Sequence, residues 1–148
     1  MYPFWSFMIA VVVAQGAKPF VKYLHTHKFD WRLLFASGGF PSSHTAGVAA
    51  MTLAVGIAEH FDSTIFAVSL AVAIIVSYDA ANVRYYAGKN ITVTKRIIKD
   101  LHAENLISAD EPLYYEKIKD VLGHKWSEVL GGCILGLFIS ILLYYCTK

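Results

Sequence analysis

Four apolar segments, separated by polar stretches, dominate the pattern along this chain. They occupy residues 4–17, 45–58, 63–81 and 129–146. The third and fourth approach the ~20 residues that a helix needs to cross a bilayer. The first two are shorter, but both lengthen when the aromatic and small residues beside them are counted. The pattern therefore predicts four apolar helices.

These segments lack the charged stripe that a helix on the surface of a soluble protein carries. Segments 45–58, 63–81 and 129–146 show no polar face, which argues against a soluble four-helix bundle. Hydrophobic residues make up 56% of the chain and charged residues 16%, against ~45–50% and ~25% in soluble domains. We expect an all-α integral membrane bundle of about four transmembrane helices, built as one domain over residues 1–148.

Basic residues are concentrated in two of the connecting stretches. Twelve of the 13 lysines and arginines lie in 18–44 and 82–125, and the turn at 59–62 holds none. With four spans, the two basic stretches share one side of the membrane. Because cytoplasmic loops carry an excess of lysine and arginine, we expect that side to face the cytosol of a cell membrane, with both termini outside.

The second basic stretch has helical periodicity of its own. Residues 94–105 place apolar side chains at helical spacing, and a capping-box pattern at 108–111 opens a helix to about residue 121. We expect one or two amphipathic helices on the headgroup layer. A solvated helical hairpin is the alternative, because the apolar stripe is narrow.

Neither cysteine nor the N-terminus changes this picture. Cys133 and Cys146 lie in the last apolar segment without metal-ligand spacing, so we interpret them as small apolar side chains. The N-terminus lacks the basic region of a secretory signal peptide.

The first candidate site is the stretch 39-GFPSSHTAG-47, at the start of the second apolar segment. A helix N-terminus presents backbone N–H groups and a partial positive charge, which suit a phosphate. Ser42 and Ser43 add hydroxyl donors, and His44 can protonate a leaving oxygen because imidazole titrates near neutral pH. The alternative is an ordinary serine cap with His44 as a bystander.

A second histidine precedes the fourth apolar segment. His124 and Glu128 are four residues apart, so on a helix they share a face. A carboxylate bonded to an imidazole sets its tautomer and makes it a plausible nucleophile toward phosphorus. A surface pair of little energetic consequence is the alternative. Both histidines lie at helix starts on the same side of the membrane, which favours a shared site.

The third candidate lies at the end of the third apolar segment, in 77-SYDAANVRYYAGKN-90. Ionisable residues near a membrane boundary are candidates for function. Arg84 can clamp phosphate oxygens with two donors, and Asp79 can orient Arg84 or a histidine or help to hold a metal ion. A salt bridge at the helix end is the alternative.

The stretches 39-GFPSSHTAG-47 and 122-LGHKWSEVLGG-132 together resemble the type-2 phosphatidic acid phosphatase superfamily. The closer resemblance is to its small divergent membrane branch, described as acid phosphatase/vanadium-dependent haloperoxidase-related. That branch combines a lysine near the end of the first helix, a Gly-Gly-x-Pro-Ser-Ser-His core, an Asp…Val-Arg stretch and a Gly-His-x-x-x-Glu-Val motif. All four elements occur here, so the resemblance covers nearly the whole chain.

The resemblance implies a role for each matching residue. His124 would be the nucleophile, Glu128 its orienting carboxylate and His44 the general acid. Ser42 and Ser43, with nearby backbone N–H groups, would hold the phosphate.

Two positively charged positions of the superfamily pattern are not matched directly. Lys18 matches the lysine of the first motif, but the Arg-Pro pair that should follow it is absent, and Arg32 would substitute. Ile118 stands where an arginine should precede His124 by six residues, and Arg84 would supply that guanidinium.

We expect hydrolysis of a phosphomonoester or diphosphate on a lipid or isoprenoid substrate, through a phosphohistidine and without a metal or cofactor. Two alternatives stay open. One is a non-catalytic lipid- or anion-binding membrane protein on the same scaffold, and the other is a metal-dependent lipid-phosphate enzyme using Asp79 and Glu128. We expect no nucleic-acid partner. A homodimer is one way to complete the site, because the superfamily core generally uses more than four helices.

Overall fold

The computed structural model of this chain describes residues 1–35, 38–104, 106 and 123–147. Within these ranges every regular element is helical and no strand occurs. A 3-10 helix (Trp31–Phe35) follows the first helix, and a π turn (Asp79–Val83) joins the third to the fourth. The α-helices are α1 (Tyr2–Thr26), α2 (Ser43–Glu59), α3 (Thr64–Tyr78), α4 (Arg84–Ala103) and α5 (Trp126–Thr147).

Three helical runs are long and apolar enough to cross a membrane. They are Tyr2–Thr26, the continuous run Thr64–Ala103 and Trp126–Thr147. The expected all-α membrane bundle is therefore confirmed. The first apolar segment, 4–17, is shorter than the helix that contains it. Helix α1 continues past residue 17 and ends only at His27, whose φ of 52° is left-handed. A helix is held by its own backbone hydrogen bonds, so it can extend beyond the last apolar residue of the pattern.

Helix α2 is the centre of the bundle. It packs against α1, α3 and α5, and most of its residues are buried. Its 17 residues span about 26 Å, somewhat less than the ~30 Å hydrocarbon layer. Its position among α1, α5 and the long run that begins with α3, rather than its length, makes it part of the membrane bundle.

Small side chains allow the central helices to approach closely. Ala10 and Ala14 of α1, Ala46 and Ala50 of α2, and Ile139 of α5 form one buried cluster. A Cβ at Gly136 would collide with the Ala46 carbonyl. These small residues therefore serve helix packing.

Hydroxyl groups join helices away from the two histidines. Thr52 of α2 bonds Ser69 of α3, with its hydroxyl 3.0 Å from the Ser69 hydroxyl. The Tyr2 hydroxyl donates to the Ser140 carbonyl at 2.6 Å. Such bonds between helices contribute modestly to stability in a membrane.

The run through α3, the π turn and α4 is 40 residues long. At 1.5 Å per residue it measures about 60 Å, twice the hydrocarbon thickness. None of residues 84–103 is buried. The amphipathic pattern expected at 94–105 therefore belongs, as far as residue 103, to the end of a long helix rather than to a separate one. The helix expected over 108–121 lies outside the described residues.

Candidate functional site

The side chain of His124, which lies just before α5, is almost fully buried. It is 1% exposed, and its Nδ1 lies 2.9 Å from Oε2 of Glu128. The same carboxylate oxygen accepts the Lys125 backbone N–H at 3.3 Å. A carboxylate suits this position because the N-terminal turn of a helix carries partial positive charge. Since Glu128 accepts, the proton of a neutral His124 lies on Nδ1, which leaves a lone pair on Nε2.

The second ring nitrogen of His124 is buried, and among the described residues it has no hydrogen-bond partner. Buried polar atoms are nearly always paired, so an exception calls for an explanation. A lone pair held ready for a substrate atom is one such explanation, and it agrees with the expected nucleophile.

The π turn fixes the backbone that carries His124. The His124 N–H donates to the Ala80 carbonyl, inside the turn, at 3.0 Å. A Cβ at Gly123 would collide with the Tyr85 backbone, so only glycine allows this approach. Turns of this kind interrupt α-helices at functional sites. Sequence reasoning missed the roles of Ala80 and Tyr85; the glycine before His124 was the one available signal.

The start of α2 is tied to the start of α5. The Ser42 side chain caps α2 by accepting the Thr45 N–H at 3.3 Å. The Ser42 backbone N–H donates to the Glu128 carbonyl at 3.0 Å. A Cβ at Gly132 would collide with the Ser42 carbonyl, so the two helices touch through their backbones here. This contact brings the two histidine-bearing segments together.

The rings of His44 and His124 lie side by side at these two helix starts. Their centroids are 6.2 Å apart, with an interplanar angle of 65°. His44 is exposed, whereas Ser42 and Ser43 are buried beside it. Two imidazoles that are 80 residues apart in sequence are therefore neighbours in the fold.

Positive groups surround His44. Its electrostatic neighbours are Arg84, His124, Lys18 and Asp79, of which only Asp79 is acidic. This excess of positive charge favours an anion beside the imidazole.

Lys18 approaches His44 from within α1. It was expected in a loop, but it lies in the helix and is 2% exposed. Its Cδ is the neighbour of Gly39, whose φ of +91° requires glycine, and its ammonium interacts with Glu128. The Gly-Gly loop before α2 therefore folds over the Lys18 side chain.

Arg84 and Asp79 form an ion pair at the two ends of the π turn. Nε of Arg84 donates to Oδ2 of Asp79 at 2.8 Å, and both side chains are more than a third exposed. This bond orients the guanidinium plane through Nε, and the two terminal nitrogens carry the other donors of the group.

Arg32 stands apart from the other candidates. It is exposed in the 3-10 helix, and its backbone N–H donates to Asp30 at 3.1 Å. The hydrogen bond from Lys22 to Asp30 lowers the pKa of that carboxyl below its ordinary value. Within the described part of the chain, no hydrogen bond or ion pair joins Arg32 to the histidines.

The neighbourhood also contains a pocket on the side of His124 that faces the π turn. Its volume is about 170 Å³. Its walls combine aromatic, amide and basic side chains: Ala81, Asn82, Tyr85, Tyr86, His124, Lys125 and Trp126. In the residues that the structure describes, no three His, Cys, Asp or Glu side chains are grouped so as to hold a metal ion.

Comparison with known proteins agrees with this arrangement. The family described as the divergent PAP2 family matches residues 1–139. The chain is 34% identical to a protein of Bacillus subtilis (strain 168), the uncharacterized membrane protein YuiD, over 97% of this chain and 94% of that protein. No solved structure matches the chain. The match over residues 1–139, which includes both histidines and Glu128, shows that this membrane protein belongs to the divergent PAP2 family.

Proposed function

We propose that this protein is a membrane phosphatase that hydrolyses a phosphomonoester or diphosphate on a lipid-linked or amphiphilic substrate. One observation carries the proposal: the ring centroids of His44 and His124 lie 6.2 Å apart, and Glu128 holds Nδ1 of His124 while Nε2 has no hydrogen-bond partner among the described residues. A nucleophile, its orienting group and a proton donor thus meet in one place.

In the first step, Nε2 of His124 attacks phosphorus in line with the leaving oxygen. The new N–P bond forms as the P–O bond breaks, and His44 gives its proton to the departing oxygen. Glu128 stabilises the charge that develops on the imidazole. In the second step, His44 takes a proton from water, which attacks phosphorus and releases inorganic phosphate and free His124.

Lys18 and Arg84 are the groups proposed to hold the phosphate oxygens. Both interact with His44, and Asp79 engages only Nε of Arg84, so the two terminal nitrogens remain for a bidentate contact. The Ser42–Ser43 segment adds the positive end of α2. Arg32 is left without a role in this scheme.

The test is phosphate release by the purified protein from phosphatidic acid and from an isoprenyl diphosphate, with vanadate as inhibitor. With a ³²P-labelled substrate, brief reaction and alkaline quenching should trap an acid-labile, alkali-stable label that maps to the peptide containing His124. Turnover without a label, or a label elsewhere, contradicts the mechanism.

Two further outcomes would select the alternatives. Tight binding of inorganic phosphate with no turnover of any lipid phosphate would mark a non-catalytic anion-binding protein. Activity that a chelator abolishes and Mg²⁺ or Mn²⁺ restores would mark a metal-dependent enzyme.

We also propose that the site faces the cytosol, because the sequence concentrates its basic residues in the two stretches, 18–44 and 82–125, that precede the apolar segments starting at the two histidines. In a chain without its native cysteines, Asp62→Cys, in the turn between α2 and α3, should react with an impermeant thiol reagent on intact cells. Lys28→Cys, beyond the end of α1, should react only after permeabilisation. The opposite labelling pattern would reverse the orientation.

A further inference from the structure

A long apolar groove runs along the bundle between α3 and α5, with α2 as its floor. Its volume is about 460 Å³, within the range of small-molecule sites. The floor is formed by one stripe of α2, residues 45, 48, 49, 52 and 53, which recur at the spacing of a single helix face. Phe66, Leu70 and Ile74 form the α3 wall, and Cys133 and Leu137 form the α5 wall.

The groove is long and narrow. Its α3 wall extends from Phe66 to Tyr78, which corresponds to about 18 Å of helix. A groove of this length with apolar walls suits a single extended hydrocarbon chain.

The two ends of the groove differ in chemistry. One end is closed by Phe61, at the turn between α2 and α3. The other end reaches Thr45, whose hydroxyl lies 3.1 Å from that of the cap residue Ser42, and Trp126. Trp126 also lines the polar pocket that contains His124. The polar end of the groove thus lies beside the starts of α2 and α5, the two segments that carry the histidines.

We propose that this groove binds one hydrocarbon chain of the substrate and so selects lipid phosphates by chain length and bulk. The inference rests on the proposed function, because it assigns the chain to the molecule whose phosphate lies at His44 and His124. The chain enters sideways from the bilayer between α3 and α5, with its phosphate at the Trp126 end. Free phosphate or a short soluble phosphomonoester uses the histidines without using the groove.

The kinetic test uses a substitution that places a bulky side chain in the groove, on its α3 wall. Ala73→Phe adds bulk inside the groove, and Ala71→Phe is the same change on the exposed face of the same helix. For a long-chain phosphomonoester, kcat/KM should fall about tenfold or more in Ala73→Phe. It should stay within about twofold of wild type in Ala71→Phe, and both variants should hydrolyse a short soluble phosphomonoester normally. Equal effects of the two variants on the long-chain substrate would overturn the proposal.

A binding test works without turnover. Cys133 lines the groove, and in a Cys146→Ser background it is the one remaining thiol of the chain. A long-chain alkyl phosphate should slow the alkylation of Cys133 by a membrane-permeant reagent, in wild type and in His124→Gln alike. A short-chain alkyl phosphate should not. Ala73→Phe should remove the protection and Ala71→Phe should keep it; unchanged protection in Ala73→Phe would refute the groove as the chain site.

A second variant guards against misfolding of Ala73→Phe. Leu137→Ala opens the groove from the α5 wall, and it should raise kcat/KM for a bulky branched chain relative to a linear one. No change in that ratio counts against the groove. Protection of Cys133 without any hydrolysis would support the groove as the chain site and contradict the phosphatase proposal. Hydrolysis that no groove variant changes would support the phosphatase proposal and contradict the groove as the chain site.

Discussion

The start of α5 and the start of α2 each present a histidine, but they hold it in opposite ways. His124 is 1% exposed, with its ring bonded to Glu128 and its backbone to Ala80. His44 is exposed, and it is the segment around it, through Ser42, that is anchored. One imidazole is locked in place, whereas the other has an open face.

The difference matches two chemical tasks. A nucleophile must attack along one line. A buried ring with a set tautomer therefore reduces the entropy that is lost on reaching the transition state. A proton donor must reach a leaving group and exchange protons with water afterwards, which an exposed ring permits. The asymmetry therefore supports the proposed roles without appeal to the family resemblance, and substitutions at either histidine test it.

The largest effect is expected at the locked histidine. His124→Gln should reduce kcat by roughly 10⁴-fold or more for every substrate, since the proposed covalent intermediate forms on Nε2 of His124. His102→Gln, an exposed histidine in α4, is the matched control and should leave phosphate release unchanged. Substantial residual activity in His124→Gln would show that the nucleophile lies elsewhere.

A smaller and substrate-dependent effect is expected at the open histidine. His44→Gln should slow hydrolysis of an alkyl phosphate by about 10²–10⁴-fold, the usual contribution of a general acid. An aryl phosphate with an acidic leaving group needs little protonation, so its rate should fall much less. Equal losses for the two leaving groups would contradict the role of His44 as acid.

The contact that joins the two regions is expected to matter next. Gly132→Ala should force the starts of α2 and α5 apart and lower the free energy of unfolding by about 1–3 kcal/mol, as overpacking does. Gly16→Ala, at a helical glycine whose added Cβ meets nothing within 4 Å, is the control. Thermal unfolding of the detergent-solubilised proteins measures both, and equal melting temperatures would show that the contact adapts without cost.

The smallest effect is expected far from both histidines. Thr52→Val removes the hydroxyl pair with Ser69 and should cost about 0.6 kcal/mol, the average for hydrogen bonds between membrane helices. Activity should persist, because α2 is positioned at its start by Ser42. A large loss of activity in this variant, with Thr147→Val unaffected, would show instead that the body of α2 aligns His44.

Individual residues show which features of the structure the sequence predicts and which it does not. The pairing of His124 with Glu128 was expected from a spacing of four residues on a helix, and the pair forms although His124 lies just before α5 rather than within it. The burial of Lys18 does not follow from the sequence, since it depends on contacts with distant parts of the chain, Gly39 among its neighbours. The ion pair of Asp79 with Arg84 was one of the alternatives for that stretch, but the π turn between them was not expected, because no composition pattern distinguishes such a turn.

The sequence by itself determined the membrane-spanning character of the chain, the approximate helices and the chemical groups at their starts. These properties depend on hydrophobicity and on neighbours within a few residues, so the linear sequence is enough to predict them. Only the tertiary structure decided that the rings of two histidines 80 residues apart are neighbours, and that an apolar groove lies between α3 and α5 with one end beside the start of α5. Those outcomes depend on how closely backbones of distant helices approach, which the glycines permit but do not specify.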